Sequence, residues 1–314
     1  MNELITAGAG AVAVPQNELS TDIYLRFVAF LDVGEKSTQT YTRDLRQMFQ
    51  FFADNGISKP QREDIISYRE SLKARGLKPT TIQNYITSAR LFFKWAEQER
   101  IYPNVADHIK GAKLDREHKK DYLTSSQCKA VLSGIDRSTL IGKRDYAIVS
   151  LVITGALRTI EVRRADIGDL RTLGDSTVLY LQGKGRDEKT EYVKITPVVE
   201  KSIREYLKAR GETDPKAPLF ASDSNNSRGG RLSTRTISGI CKTAMQDAGY
   251  DSERLTAHSL RHTGVTLALL NGAKLEEAKE YARHKNIATT LIYDHALEKA
   301  KNGCSKAVSA AIFG

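Results

Sequence analysis

His258-Ser259-Leu260-Arg261-His262, followed by Arg283-His284-Lys285-Asn286-Ile287-Ala288-Thr289-Thr290-Leu291-Ile292-Tyr293, is the stretch on which the reading of this chain turns. Upstream stands Leu157-Arg158-Thr159-Ile160-Glu161, and between the two lies Gly183-Lys184-Gly185. Cutting a phosphodiester without a metal poses three problems. The non-bridging oxygens gain charge in the transition state, the nucleophile must lose a proton, and the leaving 5′ oxygen must gain one. Two arginines, a lysine, two histidines and a late tyrosine answer all three.

Arginine suits the first task, because its planar fork donates two parallel hydrogen bonds and keeps its charge. Arg158 and Arg261 are the candidates. Taken alone, Arg158 reads as a surface arginine paired with Glu161 or Asp166; within the full set it reads as a phosphate ligand, with Glu161 supporting it. Tyr293 is the candidate nucleophile. A free phenol has a pKa near ~10, so it needs nearby positive charge and a proton acceptor. His258 precedes Arg261 by one helical turn, so both side chains can face one phosphate, with His258 holding the phenolic proton. His284 would bind the phosphate and help position Tyr293, and His262 reads as a packing or supporting residue. Lys184, at a hairpin tip, can protonate the leaving oxygen, a contribution of roughly 10²–10⁴ in rate; Arg186 and Lys189 are alternatives. His258 and His262 are spaced like a zinc pair, but the intervening glutamate and a third ligand are missing, so no metal is expected. Glu188 stands where a phosphate loop needs glycine, and no nucleotide or other cofactor is expected.

The chain of 314 residues is long enough for two domains. Lys and Arg exceed Asp and Glu by 48 − 38 = 10, which favours a polyanionic partner. No apolar run approaches the ~18 residues of a membrane span, so no membrane association is expected. Ala7–Val14 lacks a preceding basic region and reads as part of a flexible arm rather than a signal peptide. Cys128, Cys241 and Cys304 are widely spaced and odd in number, which fits a reducing cytoplasm.

Apolar residues at three- and four-residue spacing predict helices from Thr21, from a Ser37 cap to Asn55-Gly56, from Pro60 to Arg75-Gly76, and from Lys78-Pro79 through Ala96. Residues 103–121 are polar and basic and read as a linker. Leu123-Thr-Ser-Ser-Gln127 carries a capping signature, and helices are expected at about 125–135 and 142–156. Thr177–Gln182 and Glu191–Thr196 predict strands joined by the hairpin 183–190; beyond Pro197 the pattern is mostly helical. The expected division is an arm (1–20), a helical domain (21–102), a linker (103–121), a second domain (122–303) and a C-terminal tail (304–314). The fold class is mainly α with a small antiparallel β-sheet.

The order of these motifs, with His284 nine residues before Tyr293, resembles the tyrosine recombinases, the phage-integrase family, from about Asp22 onward. The resemblance implies a two-domain DNA clamp, a helical core-binding domain plus a catalytic domain, in the compact Xer- or integrase-like form. It implies a site-specific recombinase that cuts and rejoins DNA through a 3′-phosphotyrosyl link at Tyr293 and a Holliday junction. The partners implied are double-stranded DNA, three further copies in a homotetramer on two DNA sites, and accessory bending or directionality factors. The tail would dock on a neighbouring protomer. The expected location is cytoplasmic, on the nucleoid, and the task is integration or excision of a mobile element or dimer resolution. The alternatives are a type IB topoisomerase-like relaxing enzyme and a catalytically impaired DNA-binding protein. One departure stands out: the family has Gly-Leu-Arg where this chain has Gly155-Ala156-Leu157-Arg158, and alanine disfavours a positive φ.

For DNA contact, Lys78 and Thr80 open the fourth helix, Gln83 and Asn84 suit base edges, and Arg43, Arg90 and Lys94 suit phosphates. In the second domain Arg231 precedes a helix opened by Ser233-Thr234-Arg235, and a helix N-terminus suits a phosphate. Arg235→Ala is expected to weaken duplex binding; affinities equal to wild type across a salt titration would remove Arg235 from the footprint.

Overall fold

Short polar side chains write the helix starts of the second half of this chain. Thr124 Oγ1 accepts the Gln127 N–H at 3.3 Å while Gln127 Oε1 accepts the Thr124 N–H at 2.8 Å, the capping box its residues suggest. Thr139 Oγ1 and Ser233 Oγ likewise take the N–H groups of Gly142 and Thr236. The structure is a computed structural model that describes residues 21–113, 121–183, 186–291, 293 and 304–313. The expected arm 1–20, residues 114–120 of the expected linker, and Lys184 lie outside the described residues. The chain divides into two compact units, Met1–Arg116 and Glu117–Gly314.

Among its described residues the first unit packs four helices, α1 (Thr21–Phe30), α2 (Glu35–Asp54), α3 (Arg62–Ala74) and α4 (Pro79–Gln98). Their apolar stripes meet in a core where Phe92 receives Phe27 and Phe49 edge-on, each with ring centroids 5.3 Å apart. The buried carboxylate of Asp44 on α2 accepts the Ser88 hydroxyl of α4 at 3.0 Å, which registers the two helices. Ser37 is not the cap of α2. The carbonyl of Gly34 takes the N–H groups of Ser37 and Thr38, so backbone alone closes the first turn.

The segment expected to begin the linker is held on this unit. Tyr102, Ala106 and Ile109 are buried in its core. Tyr102 donates its hydroxyl to the Pro60 carbonyl, and Arg62 and Arg69 of α3 donate to the carbonyls of Asp107 and Lys110. Apolar residues scattered at and after Tyr102 show no periodicity, yet they suffice when arginines strap the backbone down.

The second unit is built on α6 (Leu140–Thr154), whose residues Ala147 through Ile153 are all buried. Around it pack α8 (Pro197–Arg210), α9 (Thr234–Asp247) and α10 (Ala257–Leu270). Among the described residues the other α-helices are α5 (Ser125–Ser133), α7 (Thr159–Arg164), α11 (Leu275–Ala282) and a C-terminal helix, Cys304–Phe313. The antiparallel sheet has the order β1 (Leu170–Leu173), β2 (Ser176–Leu181), β3 (Glu191–Ile195), with Leu170 opposite Leu179 and Thr177 opposite Ile195. β1 escapes sequence reading because it is four residues long, largely exposed, and paired only through the turn at Gly174. The helix expected to reach residue 156 ends at Thr154, because Gly155 and Ala156 leave helical geometry.

α10 approaches α6 so closely that only a missing Cβ permits it: one built on Gly264 would lie 2.1 Å from the Ile153 carbonyl oxygen. That neighbour is backbone and cannot rotate away. Gly264→Ala is therefore expected to destabilise the protein by about 1–3 kcal/mol despite alanine's better helix propensity, read from urea-unfolding midpoints.

Candidate active site

Four helix ends of the second unit converge on one buried carboxylate. α6 stops at Thr154, and the chain turns through Gly155 and Ala156, the latter at φ +45° and fully buried. Arg158 then becomes the N-cap of α7, and Glu161 reaches back to it. Glu161 Oε2 accepts the Arg158 backbone N–H at 2.8 Å, and Oε1 accepts the Arg158 guanidinium at 2.7 Å. Glu161 is wholly buried. Burial opposes its ionisation, but Arg283 and the Arg158 hydrogen bonds and charge outweigh burial and hold the carboxyl below its usual value.

Arg261, on the first turns of α10, is 1% exposed. Its two terminal nitrogens donate to the carbonyls of Ala156 and Ala282, so one guanidinium joins the end of α6 to the end of α11. Burial lowers its pKa to about 10, helped by repulsion from Arg158 and Arg283. Arg283 is the residue that sequence reading missed. It pairs with Glu161 Oε2 at 3.0 Å while its side chain is 5% exposed. Nothing in a sequence marks an arginine next to a candidate histidine as buried. Three guanidiniums against one carboxylate leave a surplus of two positive charges, which a bound phosphodiester would offset.

Tyr293 is 3% exposed and shares a small core with Ala156, Val265, Ala278 and Ala282. The His262 ring meets it edge-on at 4.3 Å between centroids, and the His284 ring lies 5.9 Å away. Burial raises the phenol's pKa, opposed by Arg261 and Arg158, so at neutral pH the phenol rests protonated. His262, expected as a packing residue, is thus the histidine in closest ring contact with the candidate nucleophile, and its Nδ1 meets Thr266 Oγ1 at 3.1 Å. His258 stands exposed at a cleft also lined by Arg158, Arg261, Arg235 and Lys242. His284 Nδ1 is held by the buried Thr290 hydroxyl at 2.9 Å.

Lys184 lies outside the described residues. The hairpin alternatives are engaged: Arg186 pairs with Glu191 at 3.0 Å, and Lys189 lies between Asp166 and Asp169. Arg231, expected on DNA, turns inward to Asp166 and to the Arg163 and Ala165 carbonyls. The α7-to-sheet carboxylates attract these cations, and nothing local to 228–231 announces them. Thr234 begins α9 behind the Ser233 cap, and Arg235 is exposed at the cleft.

In the first unit, Lys78, Thr80, Asn84 and Lys94 are exposed at or along α4. Arg90 is half-buried and donates to Thr87 Oγ1 at 3.3 Å. Gln83 is covered by the strap, since a Cβ on Gly111 would sit 2.0 Å from Gln83 Oε1. Arg43 stays 65% exposed beside Asp44. Among the described residues no group of His, Cys, Asp or Glu has metal-holding geometry, and no helix is long and apolar enough to cross a membrane.

Burial, reinforced by Arg261, Arg158, Arg283 and His258, lowers the His284 pKa from 6.5 to about 4, so the ring is neutral at pH 7. A folded pKa below the unfolded one means stability that is full above pH 6.5 and declines as pH falls toward 4. Glu161 adds its own loss only below its ordinary value of 4.5. His284→Asn is therefore expected to flatten the fall of the unfolding midpoint between pH 6.5 and about 4; an unchanged slope would refute the assignment.

Residues 121–300 match the phage integrase family, and residues 26–100 match the phage integrase N-terminal SAM-like domain. A tyrosine recombinase of Synechococcus elongatus is 25% identical over 281 residues, covering 85% of this chain and 87% of its own. XerD of Oceanobacillus iheyensis is 28% identical over 269 residues, covering 84% and 88%. Among solved structures, the XerH site-specific recombinase bound to palindromic difH substrate in a post-cleavage complex has a TM-score of 0.71 at 20% identity, covering 88% of this chain and 80% of that one. The Tn1549 transposon integrase with a circular-intermediate DNA has a TM-score of 0.70 at 20% identity, covering 89% and 98%. With more than half its length matched by the catalytic family alone, the chain belongs to the phage integrase family, the tyrosine recombinases.

Proposed function

We propose that this tyrosine recombinase cuts and rejoins duplex DNA at specific sites by attack of Tyr293 on a phosphodiester held by Arg158, Arg261 and His284. The phenolic oxygen forms the bond to phosphorus as the bond from phosphorus to the 5′ oxygen breaks. His258 receives the phenolic proton, and Lys184 protonates the departing 5′ oxygen. The result is a 3′-phosphotyrosyl link and a free 5′ hydroxyl. Attack by a 5′ hydroxyl on that link reverses the step, so bond energy is conserved and no nucleotide cofactor enters.

One observation carries this reading: the Tyr293 phenol is packed within the same chain against His262 and His284, where the Arg261 and Arg158 charges favour its ionised form. Charge gathered where an oxyanion will develop is the largest lever available to a metal-free enzyme of this kind. Lys78, Thr80, Asn84, Arg90 and Lys94 along α4, with Arg43, would form a second DNA-contacting surface, and Arg235 would contact DNA beside the cleft. Gln83, Thr234 and Arg231 are weaker members, the last being committed to Asp166.

Strand exchange would need four copies on two duplexes, two of them active at a time, and would pass through a Holliday junction. Val308, Ile312 and Phe313 of the C-terminal helix are 56%, 65% and 83% exposed, which supports docking of this tail on a neighbouring protomer. The setting is cytoplasmic, on the nucleoid, with accessory DNA-bending or directionality factors, and the task is movement of a mobile element or resolution of dimers. Supercoil relaxation without exchange is the less favoured alternative, since the relatives are recombinases.

The test is covalent trapping on a nicked duplex built from the sequences flanking the protein's own gene. Wild type is expected to yield a protein–DNA adduct that Tyr293→Phe abolishes while still binding. An adduct that persists in Tyr293→Phe would overturn the assignment of the nucleophile, and tight binding with no wild-type adduct would favour an impaired DNA-binding protein.

A further inference from the structure

Two side-chain-bearing residues of the second unit sit in left-handed backbone geometry beside the candidate catalytic arginines, and they touch each other. Ala156 has φ +45° in the turn that leads to Arg158. Arg283 has φ +53° and ψ +47° at the C-cap of α11, a position that glycine fills without strain. Arg283 Nη2 donates to the Ala156 carbonyl at 2.8 Å.

The two terminal nitrogens of Arg283 make further contacts. Nη2 also donates to Glu161 Oε2 at 3.0 Å, and Nη1 donates to the Tyr281 carbonyl at 2.8 Å. Both terminal nitrogens approach the Gly155 carbonyl at 3.3 Å. The backbone closes the circuit, because the Arg283 carbonyl accepts Arg158 Nη2 at 3.1 Å. One residue thus touches the strained turn, the carboxylate that orients Arg158, and Arg158 itself. It also shares the Ala156 carbonyl with Arg261.

A helix cap needs none of this. If α11 merely had to end, glycine would do so without the steric cost of a Cβ in the left-handed region. A guanidinium inserted at 5% exposure beside two others is electrostatically unfavourable unless its contacts return something. What they return is geometry. The Ala156 carbonyl receives two arginines, and Glu161 is clamped from both sides, so its oxygens cannot rotate away from Arg158.

We propose that Arg283 is a positioning residue for the recombination reaction. It locks the Gly155–Ala156 turn and Glu161 so that Arg158 and Arg261 stand in register for the scissile phosphate. It offsets the strain of Ala156, and the two residues work as a pair. The inference rests on the assignment of Arg158, Arg261 and Tyr293 as the chemistry-bearing set.

The test compares wild type, Arg283→Gly, Arg283→Lys, Ala156→Gly and the Ala156→Gly/Arg283→Gly double variant. Each is assayed for thermal midpoint, duplex affinity and the rate of adduct formation on the nicked flanking-sequence duplex. Arg283→Gly is expected to keep affinity within about threefold and to slow adduct formation by about 10–100-fold, the range for a misplaced reacting group. Arg283→Lys keeps the charge but loses the fork, and is expected to recover only part of that rate. In the Ala156→Gly background the penalty of Arg283→Gly should shrink, because a relaxed turn depends less on its anchor. Wild-type trapping rates in Arg283→Gly would overturn the inference and leave Arg283 as a cap. Parallel losses of midpoint, affinity and rate in both Arg283→Gly and Arg283→Lys would also overturn it, in favour of a purely structural role. Equal penalties in both backgrounds would overturn the pairing with Ala156. Absence of a wild-type adduct would instead strike the assignment of the chemistry itself, which keeps the two failures distinct.

Discussion

The buried carboxylate of Glu161 is the constraint on which the active-site geometry depends. Alone, an ionised group with no exposure would be untenable. Arg158 and Arg283 grip its two oxygens from opposite sides, and the Arg158 backbone N–H adds a third bond. In return the carboxylate stiffens both arginines, which would otherwise sample many rotamers. The cluster still carries two more positive charges than negative ones. It is therefore organised but unsatisfied, a state suited to an anion that comes and goes.

Packing brings these groups within reach. α6 ends at Thr154 where α10 crosses it at Gly264, and that close approach lets the Arg261 guanidinium bridge the Ala156 and Ala282 carbonyls. Tyr281 reinforces the junction by donating to the Thr154 carbonyl. Tyr293 then lies over α10 with its ring against His262, so the candidate nucleophile is seated by the same helix that supplies Arg261 and His258. Burial keeps the phenol protonated, while two of the arginines pull in the other direction.

Much of this was legible in the sequence where signals are local. Helix periodicity announced α1 through α4, the Thr124 box opened α5, and the stretches 177–182 and 191–196 marked β2 and β3. The order and spacing of His258, Arg261, His284 and Tyr293 carried the resemblance to the tyrosine recombinases. Two sets of contacts escaped the sequence because their partners lie elsewhere in the chain. Residues 103–113 looked like linker because Tyr102, Ala106 and Ile109 are sparse, and their burial depends on Arg62 and Arg69 of a different helix. Arg231 looked free because its partner, Asp166, is far away in sequence.

By itself the sequence determined the fold class and the positions of most helices, and it proposed a set of side chains for handling a phosphodiester. Those properties follow from neighbours within a turn or two, or from residue chemistry alone. Only the tertiary structure decided that Ala156 adopts a positive φ, that Arg283 rather than solvent meets its carbonyl, and that His262 is the ring against Tyr293. The Arg283–Ala156 contact joins residues more than a hundred positions apart, and the His262–Tyr293 contact joins separate segments. No local pattern encodes such a pairing, because its energy arises only when the elements have packed and water has been excluded.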